Sequence, residues 1–405
     1  MPLYVTGVAS TLLERLRALP AAGPVLTALD GEPRVWVVGG AVRDLLLGGR
    51  PSDLDLVVEG DALPVARRAA ERLDGEVLVH ERFGTATVRG AEGAFDLAGA
   101  RRERYPEPGA LPVVELGASL EEDLARRDFT VNTLALRLAD GELTGADGAR
   151  DDLDARVLRV LHDASFRDDP TRLVRLARYA GRLGFAVEPH TAALAGLAVS
   201  VGAVGTVSGE RLGAELRVLA GEPQPAALAA LAERGLGRAL LPGFAVDAGL
   251  TERAVALCPV DARAGLVALG SAVRNAAAAE VAARLRELGF PAGEAEAVVA
   301  CAELDRLLSE LDGARPSEAD ALLRRRPVEA AVVAAAAGSE GARDWLERAR
   351  HLRLDIDGDD LLAAGLAGPP IGRGLLAARA ALVDGDALDR ETQLAAALAA
   401  ARDAE

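Results

Sequence analysis

Apolar and polar positions change rhythm along this chain. Arg34–Val38 (RVWVV) is an apolar run of strand length that Gly39-Gly40 ends, and Ala41–Leu47 then carries one or two helical turns. Asp53–Val58 (DLDLVV) alternates as a half-buried strand does, and Leu63–Leu73 spaces its Ala and Arg as an amphipathic helix. Three short strand-like runs follow, Glu76–His80, Thr85–Arg89 and Ala94–Ala98. That order predicts a small mixed sheet with helices against it. From about Arg150 onward helical periodicity dominates, punctuated by Gly184, Gly221-Glu222-Pro223, Pro242-Gly243, Pro291 and Gly313–Pro316. Successive helix bundles without a repeat of fixed period are expected there, and the alanine run Ala330–Ala337 is helix-forming. The expected fold class is α+β, a small mixed-sheet head followed by helices.

Composition narrows the function. Half of the 405 residues are apolar, mostly Ala, Leu and Val, and only 3% are aromatic, which favours helices packed through small side chains over a β-sandwich. The opening MPLYVTGVASTLLERLRALP lacks the basic start and apolar core of a signal peptide, and no uncharged apolar run reaches membrane-span length. Cys258 and Cys301 lie far apart outside any C-x-x-C pattern and read as buried free thiols. A cytoplasmic protein with no membrane partner is expected. His80, His162, His190 and His351 are scattered, and the His162-Asp163 pair lacks the further ligands of a metal-dependent hydrolase, so no zinc site is expected. A formal net charge of −16 opposes a nucleic-acid partner when taken alone. Binding, however, depends on where the arginines lie.

Three segments carry candidate chemistry. In GGAVRDLLLGGRPSDLDLVV, Asp53 and Asp55 stand two apart on a strand and point to one face. Two carboxylates that close repel and invite a divalent cation, and hard oxygen ligands that leave room for water and phosphate suit Mg²⁺. Gly39 and Gly40 let backbone amides approach a triphosphate, and Arg43 on the following helix reaches the same phosphates. Together these residues suggest metal-assisted nucleotidyl transfer; the bland alternative leaves Asp53 and Asp55 flanking a turn after Pro51-Ser52 and facing solvent. In EEDLARRDFTVNTLAL, Arg126, Arg127, Asp128 and Asn132 gather at a helix start, where they can hold ribose and phosphates. The plainer alternative is a capping cluster, with Asp128 capping through Thr130 or Val131. In FRDDPTRLVRLARYAGRLGF, Pro170 suits a first helical turn and Asp169 the N-cap. Arg172, Arg175, Arg178 and Arg182 then form one basic stripe beside the apolar Leu173, Leu176, Ala180 and Leu183. A purely basic stripe in an acidic chain calls for an anion, which lets the protein bind polyphosphate or RNA locally.

GGAVRD…DLD, RRDFTVNTLA and DDPTRLVRLARYAGRLGF together resemble the successive motifs of the bacterial class of tRNA nucleotidyltransferases, that is, CCA-adding enzymes and their relatives the bacterial poly(A) polymerases. Asp96–Val114 resembles the flexible loop of that family, Val207–Leu219 the helical motif closing its neck, and Ile356–Gly374 its tail segment that holds the tRNA elbow. The resemblance implies a head (1–150), neck (151–240), body (241–350) and tail (351–405). It implies that Asp53 and Asp55 bind Mg²⁺ and activate the tRNA 3′-hydroxyl, with Asp96 as a candidate third carboxylate. Gly39, Gly40, Arg43 and Arg127 would contact the triphosphate of CTP or ATP. Asp169 and Arg172 would read the Watson–Crick edge of the base, with Arg175 and Arg178 completing the pocket. A fixed acceptor beside a guanidinium can present complementary edges to C and A while rejecting U and G. Two departures stand out: the base-reading motif opens Asp168-Asp169 where the family has Glu-Asp, and the loop at 147–153 lacks a glycine usual there. No Arg-Arg-Phe run or basic extension of the poly(A) polymerase kind is present, which favours addition of C, C and A to tRNA. The rivals are CC-only or A-only addition, poly(A) synthesis, and an inactive RNA-binding scaffold.

Overall fold

The computed structural model describes residues 6–19, 22–51, 54–80, 84–91, 93–222 and 225–402. Two compact units result, Met1–Val207 and Ser208–Glu405. The first opens with α1 (Thr6–Arg17), α2 (Gly23–Ala28), β1 (Val35–Val38), α3 (Gly40–Leu46), β2 (Asp55–Val58) and α4 (Ala62–Arg72). There follow β3 (Glu76–His80), β4 (Thr85–Gly90), β5 (Gly93–Gly99), β6 (Arg101–Arg104), β7 (Val113–Leu116), α5 (Leu120–Ala125), β8 (Ala135–Arg137) and β9 (Leu143–Thr144). The unit continues with α6 (Ala149–Asp154), β10 (Val157–Leu158), α7 (Ser165–Asp168), α8 (Thr171–Leu183), β11 (Ala186–Val187) and α9 (Pro189–Ser200).

Among the described residues one sheet of seven strands runs in the order β3-β4-β5-β2-β1-β8-β9. Only β2 and β5 pair in parallel within it, so the sheet is mixed, as the alternation of the sequence predicts. β1 is buried along its whole length because it is central, which is why its sequence is an unbroken apolar run. One face carries Trp36, Val38, Val57 and Ala135, packed with Leu120 and Leu124 of α5. Val38 lies opposite Asp55, so Asp55 belongs to that face, at the edge where β1 gives way to Gly39.

β6 and β7 form a separate antiparallel hairpin, which the sequence pattern does not announce. Arg-Arg-Glu-Arg has no apolar alternation; it alternates half-buried and exposed because Glu103 pairs inward with Arg101 and Arg126. The loop of this hairpin reaches α7, with Gly109 N–H 3.2 Å from the Arg167 carbonyl oxygen. Gly109 has φ +70°, and a Cβ there would overlap the Thr206 side chain and lie 2.7 Å from its carbonyl oxygen. Only glycine fits that approach.

The second unit is helical, from Gly209–Ala220 to Arg390–Arg402. Its helix Val328–Ala336 buries every residue from Glu329 to Ala336, so the alanine run is the middle of a core. Glu329 is kept there by an ion pair with Arg263 at 3.2 Å. Asp320 accepts from Trp345 Nε1 at 3.0 Å and from Arg379 Nη2 at 2.9 Å, linking three helices. A smaller core gathers Ile356, Leu361, Ala378 and Ala397. No described helix is long and apolar enough to cross a membrane. Cys301 is buried and Cys258 half-buried, both as free thiols.

Candidate active site

Gly39 sits where β1 turns into α3, with φ +72° and ψ −129°, a conformation that side-chain-bearing residues rarely adopt. A Cβ there would stand 2.9 Å from Arg127 Nη1, 3.5 Å from the Asn132 carbonyl oxygen and 3.9 Å from Asp55 Oδ2. The bare backbone of Gly39, a guanidinium and a carboxylate therefore converge on one point. Arg127 is held by Asp123, whose Oδ2 accepts from Nη2 at 3.1 Å, while its Nε is buried with no partner among the described residues. An orphaned buried donor of a cation is unusual, and an anion would satisfy it. Asp123 is fully buried and also pairs with Arg126 at 2.9 Å.

Arg43, 2% exposed, is fixed on α3. Its Nε donates to Asp44 Oδ1 at 2.9 Å and its Nη1 to Asn132 Oδ1 at 2.5 Å. Asn132 donates in turn to Asp128 Oδ1 at 2.9 Å, and Asp128 Oδ2 accepts from Arg175 Nε at 2.8 Å. Burial alone would raise the Asp128 pKa, but the charge of Arg175 and the hydrogen bonds from Asn132 and Arg175 hold it at about 2. Asp128 caps neither Thr130 nor Val131: the segment is a 3₁₀ turn at Thr130–Asn132, and Asp128 Oδ1 accepts from Phe129 N–H at 2.8 Å. Nor do Arg126 and Arg127 open a helix; they follow the end of α5.

The basic stripe on α8, which in the sequence calls for an anion, meets carboxylates of the chain itself. Arg172 and Arg178 are buried. Arg175 pairs with Asp128 at 2.7 Å and Arg182 with Asp44 at 3.0 Å, so acids on α3 and in the segment after α5 supply counter-charges that the helix itself lacks. Helical periodicity finds the stripe, whereas partners distant in sequence cannot be read from it. Arg172 Nη1 donates to Ser165 Oγ at 2.8 Å and Nη2 to the Arg126 carbonyl oxygen at 2.7 Å. Asp169 flanks α8 one residue further out than expected, Pro170 taking the cap position, yet its Oδ1 accepts from Thr171 N–H at 3.1 Å.

A cavity of about 440 Å³ opens beside Arg172, lined among others by Tyr105, Arg126, His162, Arg167 and Asp168. Burial, with Glu103 beside it, pushes the Tyr105 phenol up to about 12. Burial, with Arg172 near, holds the His162 imidazole below its ordinary value. Asp123, Asp44, Tyr105 and Tyr179 have no motif spacing that marks them; Asp44, next to Arg43 in the first motif, is the one adjacency could have flagged.

Residues 35–159 match the family model described as the poly A polymerase head domain. A multifunctional CCA protein of Xanthomonas campestris pv. campestris is 33% identical over 419 residues, an alignment covering 86% of this chain and 98% of that protein. The chain belongs to the tRNA nucleotidyltransferase family. A CC-adding tRNA nucleotidyltransferase of Deinococcus radiodurans is 40% identical over 280 residues, 64% of this chain and 74% of that one. An A-adding tRNA nucleotidyltransferase of Geobacter sulfurreducens is 46% identical over 207 residues, 50% of this chain. The chain spans only 21% to 46% of the length of three A-adding relatives that it matches. The structure of a CCA-adding enzyme in complex with ATP superimposes with a TM-score of 0.78 at 27% identity, covering 96% of this chain and 98% of that one.

Nucleotidyltransferases of this family work with a divalent metal ion. The donors present fit one. Asp55 and Asp96 immediately precede the parallel pair Leu56 and Leu97, so they lie level on adjacent strands and face one side. Asp96 Oδ1 accepts from Thr87 Oγ1 at 2.6 Å. Asp53, the other expected ligand, lies outside the described residues, and among those described no cluster of three or more metal-ligating side chains forms.

Proposed function

We propose that this protein adds C, C and A to the 3′ ends of tRNA from CTP and ATP, without a nucleic-acid template, in the cytoplasm. The observation that carries the reading is the meeting of Gly39, Asp55 and Arg127 beside Arg43, which Asn132 and Asp128 link to Arg175 of α8. Asp53 and Asp55 would hold Mg²⁺, which when bound supplies Lewis acidity to the 3′-hydroxyl and the α-phosphate. Asp96, level with Asp55, is the third carboxylate. The backbone of Gly39 and Gly40 with Arg43 and Arg127 binds the triphosphate and orients its α-phosphorus. Asp128 and Asn132, buried and engaged with Arg43 and Arg175, act by holding those two guanidiniums. Asp169 and Arg172 read the base, with Arg175 and Arg178 completing the pocket. Arg172, clamped by Ser165 and Arg126, presents a fixed donor edge, as a reader must. The head, neck, body and tail of 1–150, 151–240, 241–350 and 351–405 complete the reading, the tail meeting the tRNA elbow.

Incubating tRNA that lacks all three terminal nucleotides with labelled CTP, labelled ATP or both tests it. Two C additions followed by one A, and then arrest, are expected; no incorporation refutes the proposal. The identity with A-adding relatives favours a second reading, addition of the terminal A alone. That reading gives no incorporation on this tRNA but a single A from ATP on a second tRNA already ending in CC, whereas an unlimited adenylate ladder would mark a poly(A) polymerase.

A further inference from the structure

We propose that Tyr179 is a positioning residue whose ring gathers the guanidinium groups of Arg43, Arg175 and Arg178 into one cluster aimed at the incoming nucleotide. This rests on the reading above, in which those arginines bind the nucleotide.

The three Cζ atoms lie over the ring at 5.1, 5.7 and 4.5 Å from its centroid. Arg43 comes from α3, whereas Arg175 and Arg178 come from α8, so one ring joins the two basic elements. Three like charges gathered in a largely buried space repel, and without compensation they would spread apart. Asp44 offsets Arg43 and Asp128 offsets Arg175. The ring adds a diffuse negative charge density within reach of all three, without presenting a carboxylate that would repel a triphosphate. Its orientation is fixed: Tyr179 is 7% exposed, and Phe129, itself fully buried, meets it edge-on at 5.9 Å and 87°. Among the described residues the phenol oxygen receives one long hydrogen bond, from Arg175 Nη2 at 3.3 Å, so the ring is the principal contact. A cluster assembled before the nucleotide arrives lowers the cost of binding it.

The test keeps shape and changes only the charge distribution of the ring. Position 179 of the full chain is occupied in turn by phenylalanine and by its 4-fluoro, 3,5-difluoro and 3,4,5-trifluoro derivatives. KM and kcat are measured for ATP on tRNA ending in CC and for CTP on tRNA lacking CCA. KM for the nucleotide should climb step by step, by about tenfold across the series, with kcat changing less. KM for tRNA and the urea midpoint should stay level, which a merely structural ring would not predict. A flat series overturns the proposal. Arg43→Ala serves as the control: if it loses nucleotide affinity while the fluorinated series stays flat, only the role of Tyr179 falls. If the parent chain incorporates neither nucleotide, the proposed function falls and this inference with it.

Discussion

Replacing Asp128 with asparagine should destabilise the first unit in a pH-dependent way. Asp128 is buried, its Oδ2 accepting from Arg175 Nε at 2.8 Å and its Oδ1 from Phe129 N–H at 2.8 Å and Asn132 Nδ2 at 2.9 Å. Burial works against its charge, but Arg175 and the hydrogen bonds prevail and hold its pKa at about 2, below the ordinary 3.8. By linkage that gap is worth about 2 kcal/mol at neutral pH. Because the folded value is the lower one, this stabilisation is complete above about pH 4 and is lost as the pH falls towards 2. An asparagine also points an N–H at a guanidinium. Breaking a buried ion pair costs about 3–5 kcal/mol, but Arg175 is 31% exposed and water compensates part of that. The expected loss at pH 7 is therefore about 3 kcal/mol, shrinking by about 2 kcal/mol between pH 4 and pH 2. Urea unfolding of parent and variant across pH 2–7 reads the difference, in which the other carboxylates cancel. A difference that stays constant with pH, or is under about 0.5 kcal/mol at pH 7, refutes the assignment of a charged, paired Asp128.

Asp55→Ala, and likewise Asp53→Ala, should lower incorporation of both nucleotides by at least about a thousandfold with the urea midpoint unchanged, since Asp55 is exposed; near-normal turnover would remove the metal role. Gly39→Ala should cost about 1–3 kcal/mol of stability and raise KM for nucleotide, because the new Cβ meets Arg127 Nη1 at 2.9 Å; a neutral result in both thermal unfolding and kinetics would mean that the turn relaxes freely. Asp169→Ala should relax discrimination against UTP and GTP more than it weakens tRNA binding, and unchanged discrimination would defeat the protein-template reading. With a formal net charge of −16, tRNA affinity should rest on few phosphate contacts and fall only gently with salt, so a steep slope in a filter-binding titration would reveal a missed basic surface.

Much of the sheet is legible in the sequence because strand burial there follows simple rules. VWVV is a central strand and DLVV, Asp55–Val58, an edge of the site that starts later than the Asp53–Val58 expected, Asp53 lying outside the described residues, and Glu76–His80 is a strand over the range expected. The β6–β7 hairpin is not legible, since its inward residues are charged and are buried by partners such as Arg126, more than twenty positions away. The same cause limits the reading of α8. Its arginines repeat at helical spacing, but their counter-ions Asp44 and Asp128 lie far back in the chain, and only the fold brings them together. Gly39 is the opposite case: a glycine pair ending a strand marks the turn, and the turn carries the positive φ that requires it.

The clamp on Arg172 shifts the burden of adaptation. Two of its N–H groups are already tied, one to a hydroxyl on α7 and one to the main chain just past α5. A guanidinium moored at both ends cannot swivel to suit a purine after a pyrimidine. On the proposed function, retuning between successive nucleotides would have to come from sliding of the scaffold at Ser165 and Arg126, so substitutions that stiffen or loosen those two anchorages should alter the order of additions without touching a base.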